Sequence, residues 1–373
     1  MSARYRFVIF ISLLLVSFYI RANNNYPENT KGDSLNKNKN EATHEEDFNA
    51  GKMIIEHVLD SHEWHVMTIG DKPISLYLPV ILYDNGKLNF FSSSKFQHGH
   101  SAYNGFKIEE KGKNKGKIVK TIGDTLETDT TAALPLDLSI TKLTLSLFVS
   151  IFLLIIIFTS IARRYKKNPN SAPKGLQSMM EYLIIFIRDD VAKSSIGKNY
   201  EKYTPYLLSL FFFIFINNLL GLIPFFPGGA NLTGNIAVTM ILALFTFFIT
   251  QFLGKKNYWK HIFNTPGVPW YMKFPIPIMP VIELIGLITK PFVLMVRLFA
   301  NITAGHIIVL GFVSLILILG KISLGLGYGI SVISVPLSIF MTFIELLVAF
   351  IQAYVFTLLT AFYFSAAVEE AHH

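Results

Sequence analysis

The chain of 373 residues contains no cysteine, and only 16% of its residues are charged, whereas 51% are hydrophobic. Without cysteine, the chain can form no disulfide bond, no thiolate metal site and no lipid anchor on a cysteine. So little charge excludes an ordinary soluble protein and favours a polytopic membrane protein.

The sequence also lacks a Walker loop or any other phosphate cradle, so we expect neither nucleotide chemistry nor a catalytic site on this chain, and no cofactor. The formal net charge of +8 could indicate a nucleic-acid partner. However, the lysines and arginines cluster beside apolar segments, which is typical of the cytoplasmic ends of membrane helices. We therefore expect no nucleic acid partner.

The first 22 residues predict a signal sequence. Arg4 and Arg6 precede an apolar run from Phe7 to Ile20, which is too short for a comfortable membrane span. An uncleaved anchor is the alternative.

Residues 23–135 predict a polar, extracytoplasmic extension that is disordered at its start. Within it, "ISLYLPVILYDNGKLNFF" predicts a β-hairpin around Asp84, Asn85 and Gly86. The string "HEWH" at 62–65 is one residue shorter than a zinc-protease HExxH motif, so its histidines do not share a helix face. A surface helix is favoured there over a weak metal site that includes His57, and we expect no metal.

Residues 136–373 predict the membrane domain, an all-α unit with about five membrane helices. The first three cover 143–161, 206–223 and 236–253, and the basic strings "ARRYKK" and "GKKNYWKH" mark cytoplasmic ends. Between the first two, "SAPKGLQSMMEYLIIFIRDDVAKSSIG" has apolar residues at helical spacing and predicts an amphipathic helix on the cytoplasmic surface. This topology places the chain's C-terminus in the cytoplasm.

The last two apolar segments, 275–320 and 331–368, are longer than a bilayer requires. A helix over the first would be about 69 Å long, against a hydrocarbon core of about 30 Å. Either each segment is broken, with Pro291 as a candidate kink, or both form a steeply tilted hairpin. The string "KISLGLGYG" between them predicts a turn, and its "LGYG" also resembles a potassium-channel filter without the preceding Thr-Val.

Polar residues recur along these apolar segments. Glu283, Lys290 and Arg297 are seven residues apart and share a helix face, with Asn301 one turn beyond Arg297. His306 falls near the opposite face of the same helix.

Glu345 and Gln352 share a face of the second segment in the same way. Ionisable groups inside a membrane are costly, which indicates function. A structural ion pair of Arg297 with Glu345 is the alternative, although it leaves His306 unexplained.

The string "LITKPFVLMVRLFANITAGHIIVL" resembles the signature of subunit a of F-type ATP synthases, the stator half of the proton channel. "NNLLGLIPF", "ANLTGNIAVT", "IELIGLITKPF", "FIELLVAFIQAYVFTLLTAFYF" and "SAAVEEAHH" fit the same family in the same order. The resemblance covers about 136–373 and also touches "IIEHVLDSHEWHV". It implies a bacterial member with an extended N-terminal region.

The resemblance assigns roles to individual residues. Arg297 matches the essential arginine that faces the rotor carboxylates. His306 and Glu345 match two proton-relay positions, with the acid and the histidine exchanged relative to some members. The other matches are Gln352 and Asn301 near the arginine, Glu283 as a further channel acid, and Asn218 as a tentative channel-lining residue. Some members carry an acid where this chain has Gly221.

The resemblance also implies partners: the ring of c subunits, peripheral stalk b subunits, the catalytic F1 head through the stalk, and the lipid bilayer. The transported ion would be H⁺, with Na⁺ as the alternative, and the location would be the bacterial inner membrane. An ion channel or a secondary transporter is the rival function. A transporter should show two similar halves, and the sequence shows none.

Overall fold

The computed structural model describes residues 60–368 except 70–71, 110–111, 113, 124–125, 170–171, 224–227 and 264–277. The predicted signal sequence and the polar residues that follow it, up to residue 59, lie outside this range. The chain divides into two compact units. One is Met1–Ser146 with Ile307–Ser338, and the other is Leu147–His306 with Ile339–His373.

Helices make up most of the chain. They are α1 (Lys142–Lys167), α2 (Leu176–Phe186), α3 (Tyr200–Leu222), α4 (Ile236–Leu253), α5 (Lys256–Phe263), α6 (Ile278–Ile322) and α7 (Leu324–Val368). Within the described ranges, five helical stretches are long and apolar enough to cross a membrane: Lys142–Lys167, Leu176–Leu222, Ile236–Leu253, Val281–Ile322 and Leu324–Val368. The prediction of an all-α polytopic membrane protein is confirmed.

The predicted amphipathic helix begins with α2 and continues as a π-helical stretch over Ile187–Lys193. Gly197, at φ 73°, then interrupts the helix before α3, because only glycine adopts this conformation without strain. Ile187 is buried in the same apolar cluster as Leu207 of α3, whereas Met179 is 54% exposed. The helix is present, and its place on the membrane surface stays a prediction.

Helices α6 and α7 are each continuous over 45 residues. Pro291 lies inside α6 and Pro336 lies inside α7, and neither proline ends its helix. The alternative in which the segments are broken is therefore wrong. Each helix is about 68 Å long, more than twice the hydrocarbon thickness, so steep tilt remains the prediction.

The predicted turn between the two long helices is much shorter than its glycines suggested. Only Ser323 lies between α6 and α7, and "LGYG" forms part of α7. A potassium filter needs carbonyl groups that line a pore, so a helical "LGYG" disfavours the channel alternative. A Cβ atom on Gly327 would lie 2.8 Å from the Cα atom of Gly320. These glycines allow the two helices to cross at very short range.

The N-terminal region contains the predicted hairpin. Strands β3 (Pro79–Asp84) and β4 (Lys87–Ser92) pair antiparallel with Tyr83 opposite Leu88. Asn85 and Gly86 both have positive φ, at 48° and 79°, as a two-residue type I′ turn requires. Strand β7 (Leu136–Asp137) pairs with the other edge of β3. Two further antiparallel pairs are β1 (Glu63–Ile69) with β2 (Lys72–Tyr77), and β5 (Phe106–Ile108) with β6 (Ile118–Lys120).

The prediction of a surface helix over "HEWH" is wrong, because β1 begins at Glu63 and pairs with β2. His62 is buried, and its Nε2 atom lies 2.9 Å from Oδ2 of Asp137. Only two residues separate β1 from β2, so a hairpin between adjacent segments decided this conformation. Among the described residues, no group of three His, Cys, Asp or Glu is placed to hold a metal ion.

Hydrogen bonds fix the N-terminal region to the first turn of α1. Oδ1 of Asp60 accepts from the backbone N–H of Leu143 at 3.1 Å. The backbone N–H of Lys142 donates to the carbonyl of Ser61 at 2.9 Å, and that of Ile140 donates to the carbonyl of Pro79 at 3.1 Å. The segment between β7 and α1 is therefore held along β3 up to the first residues of α1.

The ion pair between His62 and Asp137 makes this region sensitive to pH. Burial lowers the pKa of His62, but the hydrogen bond and negative charge of Asp137 outweigh burial, and the net pKa is raised from 6.5. Burial raises the pKa of Asp137, but the hydrogen bond and positive charge of His62 outweigh it, and the net pKa is lowered from 3.8.

We therefore expect the N-terminal region to lose stability as the pH rises above about 6.5. A raised histidine pKa contributes stability that is complete below the unfolded value and is lost as the pH passes the folded value. The lowered pKa of Asp137 gives the opposite limit, so its contribution is lost at acid pH, below about 3.8. Hydrogen exchange at the backbone amides of residues 79–84, corrected for intrinsic exchange rates, would measure both losses of stability. If the stability of the His62→Gln variant depended on pH as strongly as that of the unmodified protein, this assignment would be contradicted.

Candidate functional site

Arg297 lies on the exposed side of α6. Leu298, the next residue, and Leu294, three residues earlier, are 1% exposed and belong to the apolar core, whereas Arg297 and Asn301 are exposed. Leu298 lies about 100° around the helix from Arg297, so Arg297 stands outside the side of α6 that packs against the core. Within the described ranges, Arg297 has no hydrogen bond or ion pair. Its charge is available to a group outside this chain.

Small residues surround this arginine on the exposed face. Ala300 and Ala304 are both exposed, and they lie about one and two turns beyond Arg297. Small side chains let a second helix approach closely in a membrane. The exposed side of α6 therefore combines a cation with room for a neighbouring helix.

His306 and Glu345 come together on the other side of α6. Nδ1 of His306 lies 3.7 Å from Oε1 of Glu345, and the glutamate is 6% exposed. This distance is longer than a hydrogen bond. Direct proton transfer therefore needs the two side chains to move slightly closer to each other. The structural alternative, a pair of Arg297 with Glu345, is absent from the described residues.

Gly305 makes this approach of α7 to α6 possible. A Cβ atom on Gly305 would lie 3.2 Å from Cγ and 3.3 Å from Oε1 of Glu345. Any side chain there would press the glutamate away from its position. The sequence analysis missed Gly305, because a single glycine in a helix gives no sign of what packs against it.

A narrow pocket, too small to hold a water molecule, lies beside the histidine and the glutamate. It is lined by Asn218, Gly221, Leu222, Asn231, Ile302, His306, Glu345 and Ala349. Nδ2 of Asn218 donates to the carbonyl of Ala349 at 3.0 Å. Oδ1 of Asn218 accepts from the hydroxyl of Thr233 at 2.6 Å. Both ends of this amide are used, so Asn218 connects α3 to α7 at the wall of the pocket.

Asn231 is a second residue that the sequence analysis missed. Its Oδ1 atom accepts from the backbone N–H of Gly234 at 2.8 Å, and this contact fixes which end of the amide is the donor. Its Nδ2 atom is buried without a hydrogen-bond partner in the described part of the chain. A buried donor with no acceptor is costly. Asn231 also lines the pocket that contains His306 and Glu345.

The remaining predicted residues lie at different distances from this pocket. Gln352 is 6% exposed, about two turns beyond Glu345 on the same face of α7. Glu283 lies about 21 Å along α6 from Arg297, and its Oε1 atom is 3.8 Å from Nδ1 of His261. The structure thus groups His306, Glu345 and Asn218 and keeps Glu283 apart.

Lys290 occupies another environment on α6. Its ammonium group lies 5.6 Å from the centre of the Tyr363 ring, a cation–π contact between α6 and α7. A second pocket, with about 320 Å³ of empty space, includes Lys290, Tyr258 and Gln251 in its lining. Of Lys290 and Arg297, the two basic residues on this face, only Arg297 lacks a partner among the described residues. Its charge can therefore pair with a group outside this chain.

Comparison with known proteins gives two family matches. Residues 144–365 match the family described as ATP synthase A chain. Residues 53–138 match a domain of unknown function, DUF8433. The second match covers the strand-rich region, which has no assigned role.

Several curated proteins are similar over most of the membrane part. ATP synthase subunit a 2 of Chlorobium luteolum is 45% identical over 251 residues, which cover 64% of this chain and 70% of the relative. ATP synthase subunit a 2 of Chlorobaculum tepidum is 47% identical over 240 residues, covering 62% and 64%. ATP synthase subunit a of Myxococcus xanthus is 42% identical over 246 residues, covering 64% and 76%.

Proposed function

Because this chain belongs to the ATP synthase A chain family, we propose that it is the stator subunit of the F-type membrane sector and forms its two proton half-channels. The membership confirms the resemblance noted in the sequence and makes the chain a proton-translocating component of the membrane sector. In the proposed role, protons pass through this chain to and from a rotating ring of c subunits. Their flow drives ATP synthesis in a separate catalytic head.

One observation carries this proposal: Arg297 is exposed on a membrane helix and has no counter-ion among the described residues. An unpaired charge in hydrocarbon is costly, so a partner should supply the anion. A rotor carboxylate meets this need, and the exposed Ala300 and Ala304 leave room for it. A cation within about 4–6 Å lowers a carboxylate pKa by roughly 1–3 units and favours release of its proton.

The same guanidinium would separate the half-channels. Arginine does not lose its proton in proteins, so it cannot pass a proton from one channel to the other. Asn301, one turn along the exposed face, and Gln352, buried on α7, would orient the guanidinium or nearby water through their amide groups. The arginine would thus act both as discharge site and as barrier.

His306 and Glu345 would form the relay inside one half-channel. An imidazole and a carboxylate provide an acid and a base that exchange protons near neutral pH. Their separation of 3.7 Å suits transfer after a small movement of either side chain. Asn218 would hold the channel wall, and Glu283, beside His261, would act as an acid nearer the end of the membrane helix.

Asn231 adds a donor to this relay, and its removal should impair proton flow. Asn231→Ala is expected to lower the pumping rate about fivefold to tenfold, the effect of ~1–1.4 kcal/mol for a lost hydrogen bond. Asn235→Ala is a matched control. Oδ1 of Asn235 also accepts from a backbone N–H, that of Ala237 at 2.8 Å, but Asn235 does not line the pocket. Equal pumping by both variants in reconstituted vesicles would contradict a role for the Asn231 donor.

The membrane placement follows from the basic flanks of α1 and α4. We propose that the chain lies in the bacterial inner membrane with residues 23–135 outside and the C-terminus in the cytoplasm. Residues 1–22 would be the signal sequence, and residues 136–373 the membrane domain. The c ring, the b subunits of the stalk and the catalytic head would be its partners. The rotor site would decide between H⁺ and Na⁺.

Purification through an affinity tag on this chain tests the proposed function. Mild detergent extraction from native membranes should recover a c ring, b subunits and a catalytic head that hydrolyses ATP. The same tag on an unrelated membrane protein is the control. Recovery of the intact chain without these partners, together with substrate uptake into vesicles, would favour a secondary transporter instead.

A further inference from the structure

The sheet β4-β3-β7 carries apolar residues on both faces, but its charged residues all lie on the inner face. Its inner face contributes Val80, Leu82 and Phe91 to a buried cluster. Because strand residues alternate between faces and the pairing sets Tyr83 opposite Leu88 and Leu136, the other residues form an outer face. These outward residues are Pro79, Ile81, Tyr83, Leu88, Phe90, Ser92 and Leu136.

This outer face is strongly exposed. The exposed fractions are 65% for Leu88, 71% for Phe90, 47% for Tyr83 and 45% for Leu136. None of the outward residues of these three strands carries a charge. Antiparallel sheets usually present polar residues to water on the face away from the core, and an uncharged apolar face is a site for association.

The sheet lies only a few residues from the start of a membrane helix, and this position indicates what covers its outer face. Strand β7 ends at Asp137, and the membrane helix α1 begins at Lys142. The intervening residues cannot act as a free linker, because the N–H groups of Leu138 and Ile140 donate to β3 at 2.9 and 3.1 Å. Asp60 then accepts from Leu143 in the first turn of α1. The sheet is therefore fixed within about five residues, at most roughly 17 Å, of the start of a membrane helix.

We propose that the outer face of β4-β3-β7 docks on the lipid bilayer surface beside α1, with Leu88 and Phe90 inserted at the level of the headgroups. Aromatic side chains with a polar tip favour this interfacial layer, and Tyr83 stands directly opposite Leu88. The domain of unknown function thus acts as a membrane-surface anchor, which goes beyond the proposed role in proton translocation.

The absence of cysteine from the chain makes a direct test possible, since a single introduced cysteine is the only labelling site. Leu88→Cys and Phe90→Cys place an environment-sensitive fluorophore on the outer face. Lys87→Cys is the matched control, because Lys87 is exposed and adjacent in β4 but lies on the opposite face. Lys115→Cys, at an exposed position outside this sheet, is a second control. None of the four substitutions replaces a buried residue.

The labelled complex is reconstituted into vesicles of phosphatidylethanolamine and phosphatidylglycerol. At positions 88 and 90 we expect several-fold stronger quenching by nitroxide-labelled lipid than by aqueous iodide, and the reverse at 87 and 115. Iodide quenching at 88 and 90 would overturn the proposal. Protection from both quenchers would also overturn it and would indicate cover by protein, either a partner or residues 1–59. Because the assay needs no proton flow, loss of pumping would count against the proposed function alone.

Discussion

Replacing Arg297 with alanine is expected to abolish both ATP-driven proton pumping and proton-driven ATP synthesis while the complex still assembles. The guanidinium is exposed and packs against none of the core, so its removal leaves the fold intact. Without the cation, a rotor carboxylate would keep its proton at the point where it should release it. We expect a loss of at least about a hundredfold, which corresponds to ~2.7 kcal/mol.

Acidification of vesicles and the amount of assembled complex should be measured together for this variant. Thr289→Ala is the matched control, because Thr289 is exposed on α6 and its hydroxyl donates only to Gly286 in the same helix, at 3.0 Å. Arg297→Lys keeps the charge but loses the planar, weakly hydrated guanidinium. We therefore expect this variant to lose most of its proton pumping and ATP synthesis as well. Normal synthesis in Arg297→Ala would exclude the proposed role.

Exchange of His306 and Glu345 should restore much of the proton flow that either single change removes. His306→Glu places two carboxylates side by side, and Glu345→His places two imidazoles together, so neither single variant keeps one acid and one base. Each should reduce pumping about tenfold or more, the effect of ~1.4 kcal/mol. The double variant restores the pair with its members reversed and should recover at least half of the lost free energy.

A double-mutant cycle on assembled complexes gives the coupling between the two residues. If they act as a relay, the loss in the double variant will be much smaller than the sum of the single losses. A double variant as inactive as the single variants would remove the support for a relay. Gly305 must be kept in all variants of the cycle, since a side chain there would displace the residue at 345.

The sequence determined the class of the protein and most of its elements. Long apolar segments such as 236–253 can satisfy their backbone in a bilayer only as helices, so composition and length suffice to predict them. The Asn85-Gly86 pair predicts its hairpin for a similarly local reason, because both residues tolerate positive φ. The family signature around Arg297 is also local, which is why the resemblance could be stated from the sequence.

Only the tertiary structure showed how closely these polar residues approach one another. His306 and Glu345 lie on different helices, and their contact depends on Gly305, whose importance lies in the side chain that it lacks. The unpaired side-chain donor of Asn231 and the one-residue connection at Ser323 also depend on how the helices pack. Spacing along one helix reports only which residues share a face, whereas distances between elements depend on how all the side chains pack.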